Sequence, residues 1–328
     1  MLSADIDLDN KPWTPIGHAS ESVYKTDPTT GNLVNIYTSK DSEFKLFAGE
    51  FDGQNHKVSN LVIDKAGKEN EYIAVALFGV VKNGSTIKNL IIENASIKAD
   101  FYTGTLVGYI PQEEAIPSKK TTIDNITLQG DITVDGYASV GGMIGRSEVK
   151  TCLEVKNSKI NVSPKSSVLL HGQNGFMIGG LVGVAYGPKT LIENCSTNIN
   201  VIGKIQVVGG LVGHMEDGTI NKSAVSGTIK LTPAVDSSLD NNGYDQYGIG
   251  AYIGTVDSKA IDTTNDIAPL KTSNGIIINN CTSTAKIDAI TYDNEPLFFE
   301  GLVGTIRYPK QKTTYKSVDA TNIVKINK

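Results

Sequence analysis

Arginine is almost absent: among 30 basic residues only Arg146 and Arg307 are arginine. Sites that grip sulfate, phosphate or uronate favour the bidentate guanidinium fork, so the shortage counts against polyanion recognition of that kind. Cysteine is scarce too. Cys152, Cys195 and Cys281 form no CxxC pair and no zinc spacing, and an odd number leaves at least one thiol unpaired within the chain, so cysteine usage does not fix the compartment. No run of about 18 apolar residues exists, which excludes a helical membrane insertion in this segment. No stretch shows the i, i+3, i+4, i+7 apolar pattern of a helix. The four histidines, His18, His56, His171 and His214, lie far apart and none opens an H-E-x-x-H zinc-peptidase motif. Neither a nucleophile elbow nor a phosphate-cradling glycine loop occurs. The net charge of −5 gives no general attraction to nucleic acid. No cofactor is implied.

What the chain has in plenty is glycine, 33 residues of it, set among valine, isoleucine and threonine. The stretch VVGGLVGHMEDGTINKSAVSGTI (207–229) shows the arrangement. Its apolar-glycine unit recurs at 76–79, 105–108, 141–145, 179–183, 250–254 and 300–304, and alternates with a second unit such as TIKNLII (86–92) or LIENCST (191–197). Self-similarity at a fixed period marks a solenoid. The minimal repeat of about 30 residues suits one β-helix turn of three short strands, whereas a propeller blade needs about 40 residues and four strands. The expectation is an all-β chain: a right-handed parallel β-helix of about eight coils, stacked roughly 4.8 Å apart, with loop insertions at its corners. Residues 1–328 read as one domain, with 1–46 an N-terminal strand and capping segment and 47–328 the repeats.

The residue choices fit that plan. Leucine and valine of the G-G-L-V-G strand fill the bore, and glycine permits close backbone approach. Asn60, Asn89, Asn125, Asn157, Asn194 and Asn280 are expected at equivalent positions of successive coils, a structural ladder bonding coil to coil. Lys222 interrupts it. Asn125, Asn194 and Asn280 also match the glycosylation sequon, for which the ladder is the competing explanation. Cys195 and Cys281 follow ladder positions and read as stacked small hydrophobes.

On these residues the chain resembles proteins carrying the GLUG motif, named for a G-G-L-V-G-like core. ADIDLDNKPWTPIG (4–17) and FAGEFDGQNHKVSNLVI (47–63) resemble the opening coil of that domain type. The resemblance extends from about residue 2 to residue 326 and implies a bacterial surface or secreted β-solenoid, often adhesin-like. GLUG repeats also accompany IgA-protease-type metallopeptidases, whose zinc motif is missing here. The opening MLSADIDLDNKPW has neither the basic nor the apolar region of a secretion signal, so the resemblance carries the expectation of an extracellular or cell-surface location with an upstream piece beyond residue 1.

Function is expected where repeat length varies, because insertions at equivalent corners of a solenoid project side by side. The longest insertions, 231–248 and 255–274, bracket one coil. Asp236, Asp240, Asn241, Asn242, Tyr244, Asp245 and Tyr247 are the candidate binding residues there. Asp236, Asp240 and Asp245 have oxygen chemistry suited to calcium, against which stands a plain solvated loop. An aromatic series, Tyr72, Tyr102, Tyr137, Phe176, Tyr247 and Phe298, precedes the final glycine of its repeats by a similar distance; it suits either sugar stacking or packing of the β-helix wall. A glycosidase needs paired carboxylates; Glu43, Glu50, Asp52 and the Glu113–Glu114 pair are candidates, but most sit in turns or a loop that would carry acids anyway. The reading is a non-catalytic adhesin-like or structural module whose partner is a host or cell-surface glycan or protein. A carbohydrate-binding or carbohydrate-active protein is the alternative.

Overall fold

A computed structural model describes residues 1–18, 24–26, 33–35, 45–68, 72–113, 115–170, 177–204, 207–232, 248–256, 276–289 and 324–327. All regular structure among them is β-strand. The stretch from 190 to 215 shows how one coil is built. Thr190–Glu193, Ser196–Asn198, Asn200–Lys204, Val207–Gly209 and Val212–Met215 follow one another, and each pairs in parallel with its counterpart in the coil before. The chain is a parallel β-solenoid. Its coil holds five short strands where repeat length pointed to three. The first three belong to a single sheet of 17 strands that bends twice, and the fourth and fifth form two further sheets of six strands each. In the earlier coils the first three strands run together as Glu50–Asp64, Thr86–Lys98 and Thr121–Gly136. A separate antiparallel pair joins Tyr24–Thr26 to Leu33–Asn35.

The bends come from single residues in the left-handed backbone region. Asn89, Asn125, Asn157, Asn194, Lys222 and Asn280 have φ between 49° and 54° and share one corner, as the registers Asp124↔Lys156, Glu193↔Asn221 and Asn221↔Asn279 require. Asparagine tolerates this conformation better than other residues with a Cβ.

The G-G-L-V-G turn between the fourth and fifth strands closes so tightly that a side chain has no room. A Cβ on Gly209 would run into the carbonyl oxygen of Val212, one on Gly210 into that of Ala251 in the next coil, and one on Gly213 would sit 2.5 Å from the Gly183 oxygen in the coil before.

Inside, the coils present the same apolar positions one above another. Phe51, Ile87, Ile123, Val155, Ile192, Ile220 and Ile278 are register partners in succession, continued by Ile326, and those from Ile87 to Ile278 are fully buried. Each such side chain contributes about 1.5–3 kcal/mol on leaving water. At the N-terminal end Ile6–Asp7 pairs with Val58–Ser59, Pro12 with Val62 and Ile16 with Phe78, so the opening segment lies along the first coil.

One outward column alternates in charge. Asp52, Lys88, Asp124, Lys156 and Glu193 are successive partners, followed by Asn221 and Asn279. Lys88 lies 3.6 Å from Asp52, and Lys156 is stabilised as a cation by Glu154 first, then by Asp124 and Glu193.

Candidate binding face

Connections between strands differ most in length at two corners. Where the third strand passes to the fourth, 205–206 suffice in one coil, whereas 171–176 and 233–247 occupy the same place in its neighbours. Where the fifth strand returns to the first, the connection ranges from Glu216–Asp217 to 257–275. The two longest stretches leave from Thr228–Thr232 and from Ile253–Val256, on either side of one fourth and fifth strand pair. Asp236, Asp240, Asn241, Asn242, Tyr244, Asp245 and Tyr247 fall outside the described residues, as do Phe176 and Phe298. Among the described residues no group of three or more His, Cys, Asp or Glu side chains is placed to hold a metal ion.

The aromatic series does not form one column. Tyr102 pairs with Ala74 and Ser139, while Tyr72 and Tyr137 each stand two residues before those partners. Tyr102 is buried, its ring stacked on Tyr109 at 4.7 Å. Tyr72 and Tyr137 are half-buried, and Lys65 Nζ lies 4.3 Å above the Tyr72 ring. Similar distance to the repeat's final glycine is a poor guide, because Tyr102, six residues before Gly108, and Tyr137, eight before Gly145, hold different register positions.

Tyr102 belongs to a cluster on the outer side of the fourth and fifth strands. Arg146 sits between the rings of Tyr102 and Tyr186, at 5.0 and 4.7 Å, and pairs with Glu148, its Nε donating to Oε1 at 2.6 Å. The Tyr186 ring lies 5.1 Å from His214. Burial, reinforced by the Arg146 charge, depresses the His214 imidazole to about 4. One of two arginines is thus spent on an internal ion pair.

The ladder asparagines make the following bonds. Asn125 Nδ2 donates to Asn89 Oδ1 at 2.9 Å and to Asn55 Oδ1 at 3.1 Å. Asn194 Nδ2 donates to Asn157 Oδ1 at 2.8 Å, and Asn157 Nδ2 turns to Asp124 at 2.9 Å. Asn60 is not part of this column. The register Ser59↔Glu93 and Leu61↔Ala95 sets it opposite Asn94 at the next corner, where Asn60, Asn94, Gly130 and Gly227 all have positive φ and Asn94 Nδ2 donates to Asn60 Oδ1 at 3.2 Å. The N-L-x-I pattern is the same at Asn60 and Asn89, and the irregularity after Asp52 shifts the first coil against the second.

A second ladder escaped the sequence reading. The residue after the corner asparagine or lysine is Ser158, Cys195, Ser223 or Cys281. Bonds run across the corner from coil to coil: Ile126 N to Ser158 Oγ at 3.1 Å, Cys195 N to Ser223 Oγ at 3.2 Å, Ser223 N to Cys281 Sγ at 3.4 Å. Each of the four side chains also donates back to the carbonyl two residues earlier, as Cys195 Sγ does to Glu193 O at 3.3 Å and Cys281 Sγ to Asn279 O at 3.1 Å. The cysteines are therefore hydrogen-bonding members of a hydroxyl–thiol ladder, not merely small hydrophobes, and burial pushes the Cys195 thiol up to about 12. The signal in the sequence is the small polar residue recurring after the corner position.

Outside, charged side chains bridge neighbouring coils. Lys57 Nζ lies 2.7 Å from Glu93, which also accepts from Gln129 Nε2 at 2.8 Å, and these bonds hold the Glu93 carboxyl below its usual range. Asp5 accepts from the Lys57 backbone N–H at 3.0 Å and faces His56 Nδ1 at 3.1 Å, and these lower its carboxyl likewise.

No family model matches the chain. It is 31% identical over 119 residues to halomucin of Haloquadratum walsbyi, a match covering 36% of this chain and 1% of halomucin. It is 26% identical over 208 residues to immunoglobulin A1 protease of Streptococcus sanguinis, covering 61% of this chain and 10% of that protein. A crystal structure of a Bacteroides ovatus protein named for immunoglobulin A1 protease superposes with a TM-score of 0.57 at 20% identity, over 91% of this chain and 72% of that one. The chain spans a tenth or less of the curated relatives it matches, and the structural likeness is one of fold.

Proposed function

We propose that this chain is a non-catalytic module of a cell-surface or secreted protein: a right-handed β-helix of about eight coils, of the GLUG-repeat kind, that displays corner loops for adhesion. The observation that carries the reading is the contrast between a core stacked coil upon coil in parallel and connections whose length, among the described residues, varies most at two corners. Eight successive first-strand positions, from Phe51 to Ile326, support the coil number. Sequence similarity to halomucin and to an immunoglobulin A1 protease supports an extracellular setting. The partner is a glycan or protein of a host or cell surface, and immunoglobulin A1 is one named candidate.

The test compares the wild-type chain with a variant whose residues 234–246 are replaced by a short Gly-Ser linker, on a glycan array and on surfaces coated with immunoglobulin A1. Binding that disappears with the loop while the melting temperature holds supports the reading, and binding by neither protein overturns it.

A carbohydrate-active protein is the second reading, favoured by the half-buried Tyr72 and Tyr137 rings at one corner. Release of reducing ends from a polysaccharide panel would establish it at the expense of the first.

A further inference from the structure

The corner where the fifth strand returns to the first gathers lysines that lie far apart in sequence. Lys82, Lys119, Lys120, Lys150 and Lys189 are all exposed and stand on the connections of four successive coils. Register fixes their neighbourhood. Thr122, Glu154 and Leu191 are partners, so Lys120, Cys152 and Lys189, each two residues earlier, fall in one column. The Cys152 thiol, raised chiefly by burial, feels both Lys189 and Lys120. Lys119 belongs to the same group, since its Cβ would lie 3.3 Å from a Cβ placed on Gly84, two residues after Lys82.

Acids at this corner gather at one end, where Glu216 and the buried Asp217 form the next connection and the register Thr190↔Gly218 sets Asp217 opposite Lys189. Glu148 is buried with Arg146, and Glu154 is shared by Lys120 at 2.8 Å and Lys156 at 3.0 Å. Glu113 is part-exposed on the same connection as Lys119. Lys82, Lys119 and Lys189 make no ion pair among the described residues. The ridge is locally cationic on a chain whose net charge is −5.

A second observation concerns the backbone. Lys150 and Lys189 hold left-handed conformations, φ 56° and 59°, which among the described lysines only Lys222, at a different corner, shares. Asparagine fills most such corner positions elsewhere in this chain, and a residue kept in a sparsely populated region against an easier alternative points to use of its side chain.

We propose that this lysine ridge binds a linear acidic polysaccharide, its carboxylate or sulfate groups following the rod axis from coil to coil. The inference rests on the surface-module reading and names the partner's chemistry. Coils about 4.8 Å apart offer roughly one ammonium per rung, a spacing suited to a polymer with one anionic group per sugar or per two sugars. Lysine, a hydrated point charge on a flexible stem, accepts anions at varying angles, where an arginine fork demands a fixed one. Counting arginine alone misses this surface.

The experiment measures retention of fluorescent polygalacturonate, dextran sulfate, neutral dextran and duplex DNA by the full chain, at about 0.02 and about 0.15 M salt. The variant is Lys82→Gln, Lys119→Gln, Lys150→Asn, Lys189→Asn, in which asparagine keeps the two left-handed corners comfortable. Polygalacturonate or dextran sulfate should bind, weaken with salt, and lose about tenfold or more in affinity in the variant, while neutral dextran stays unbound. If the fourfold variant melts early, Lys82→Gln with Lys119→Gln should still lose about threefold, and Lys68→Gln on another corner should lose nothing. Equal binding by variant and wild type, binding to neither acidic polymer, or binding to DNA as tight as to the glycans overturns the proposal. Loop-dependent adhesion that survives the lysine variant would leave the module reading standing while the ridge proposal falls.

Discussion

Asn194 donates its side-chain amide to the Asn157 side-chain oxygen at 2.8 Å, and both residues hold left-handed backbone, at φ 53° and 49°. The two facts explain each other: a corner needs a residue that turns without strain, and stacking such corners sets the amides within reach. Asn194→Ala should lose both the conformational tolerance and the bond, about 1–3 kcal/mol. Lys222→Asn, at the same corner one coil on, should gain about 1 kcal/mol. Urea unfolding of the three proteins reads both signs, and a neutral Asn194→Ala would remove the ladder as a source of stability.

The glycine turn makes a sharper demand. Gly209→Ala drives a methyl group into the Val212 carbonyl and should cost about 3 kcal/mol or more, the upper end of what overpacking costs. Gly49 is the opposite case, with positive φ, at 115°, but open space around its Cβ position, so Gly49→Ala should lose only about 1–2 kcal/mol. Thermal melts that rank the two the other way would show that the turn is looser than described.

Ser223 carries the hydroxyl–thiol ladder between two cysteines. Ser223→Ala strands the buried Cys195 N–H, which now donates to Ser223 Oγ at 3.2 Å, and should cost about 1–3 kcal/mol. Ser223→Cys restores an acceptor of the kind Cys281 already supplies and should recover most of that loss. Equal destabilisation by both, measured with reductant present, would place the effect in packing instead.

Acid should weaken the fold in two stages. His214 is lowered from 6.5 to about 4 in the folded protein, so between those values the unfolded chain binds a proton that the folded chain refuses. Stability is full above pH 6.5 and falls toward pH 4, by up to about 3 kcal/mol. His214→Val, matching Val184 in the coil before, should flatten that slope. Below it, Asp5, Asp52, Glu93 and Asp131, all held under their usual values, lose their favourable bonds as they protonate, in the variant as well. Chemical denaturation at several pH values separates the stages.

Much of this fold was legible because solenoids write one local rule repeatedly. Glycine pairs, branched residues and corner asparagines recur in the sequence since each coil solves the same steric problem. Asn60 misled because its corner uses the same residue for the same reason, and only the hydrogen-bonded register separates the two. Tyr102 misled because six and eight residues before the final glycine are different register positions: Tyr102 lies on the fourth strand beside Arg146, and Tyr137 lies two residues ahead of that strand's start. The lysine ridge was invisible because its members come from different repeats at different offsets. The loop residues Asp236, Asp240 and Asp245 lie in a stretch with no repeat partner at all, where periodicity has nothing to say.

The outward column Asp52–Lys88–Asp124–Lys156–Glu193 has a consequence for how such a chain can grow or shrink. Losing the single coil that carries Lys88 would set Asp52 against Asp124, like charges one rung apart and destabilising. Losing that coil together with the next would set Asp52 against Lys156 and keep the alternation intact. In this part of the chain parity therefore matters: gaining or losing units in twos keeps the alternation, and an odd event sets like charges one rung apart at a cost of about 0.2–1 kcal/mol.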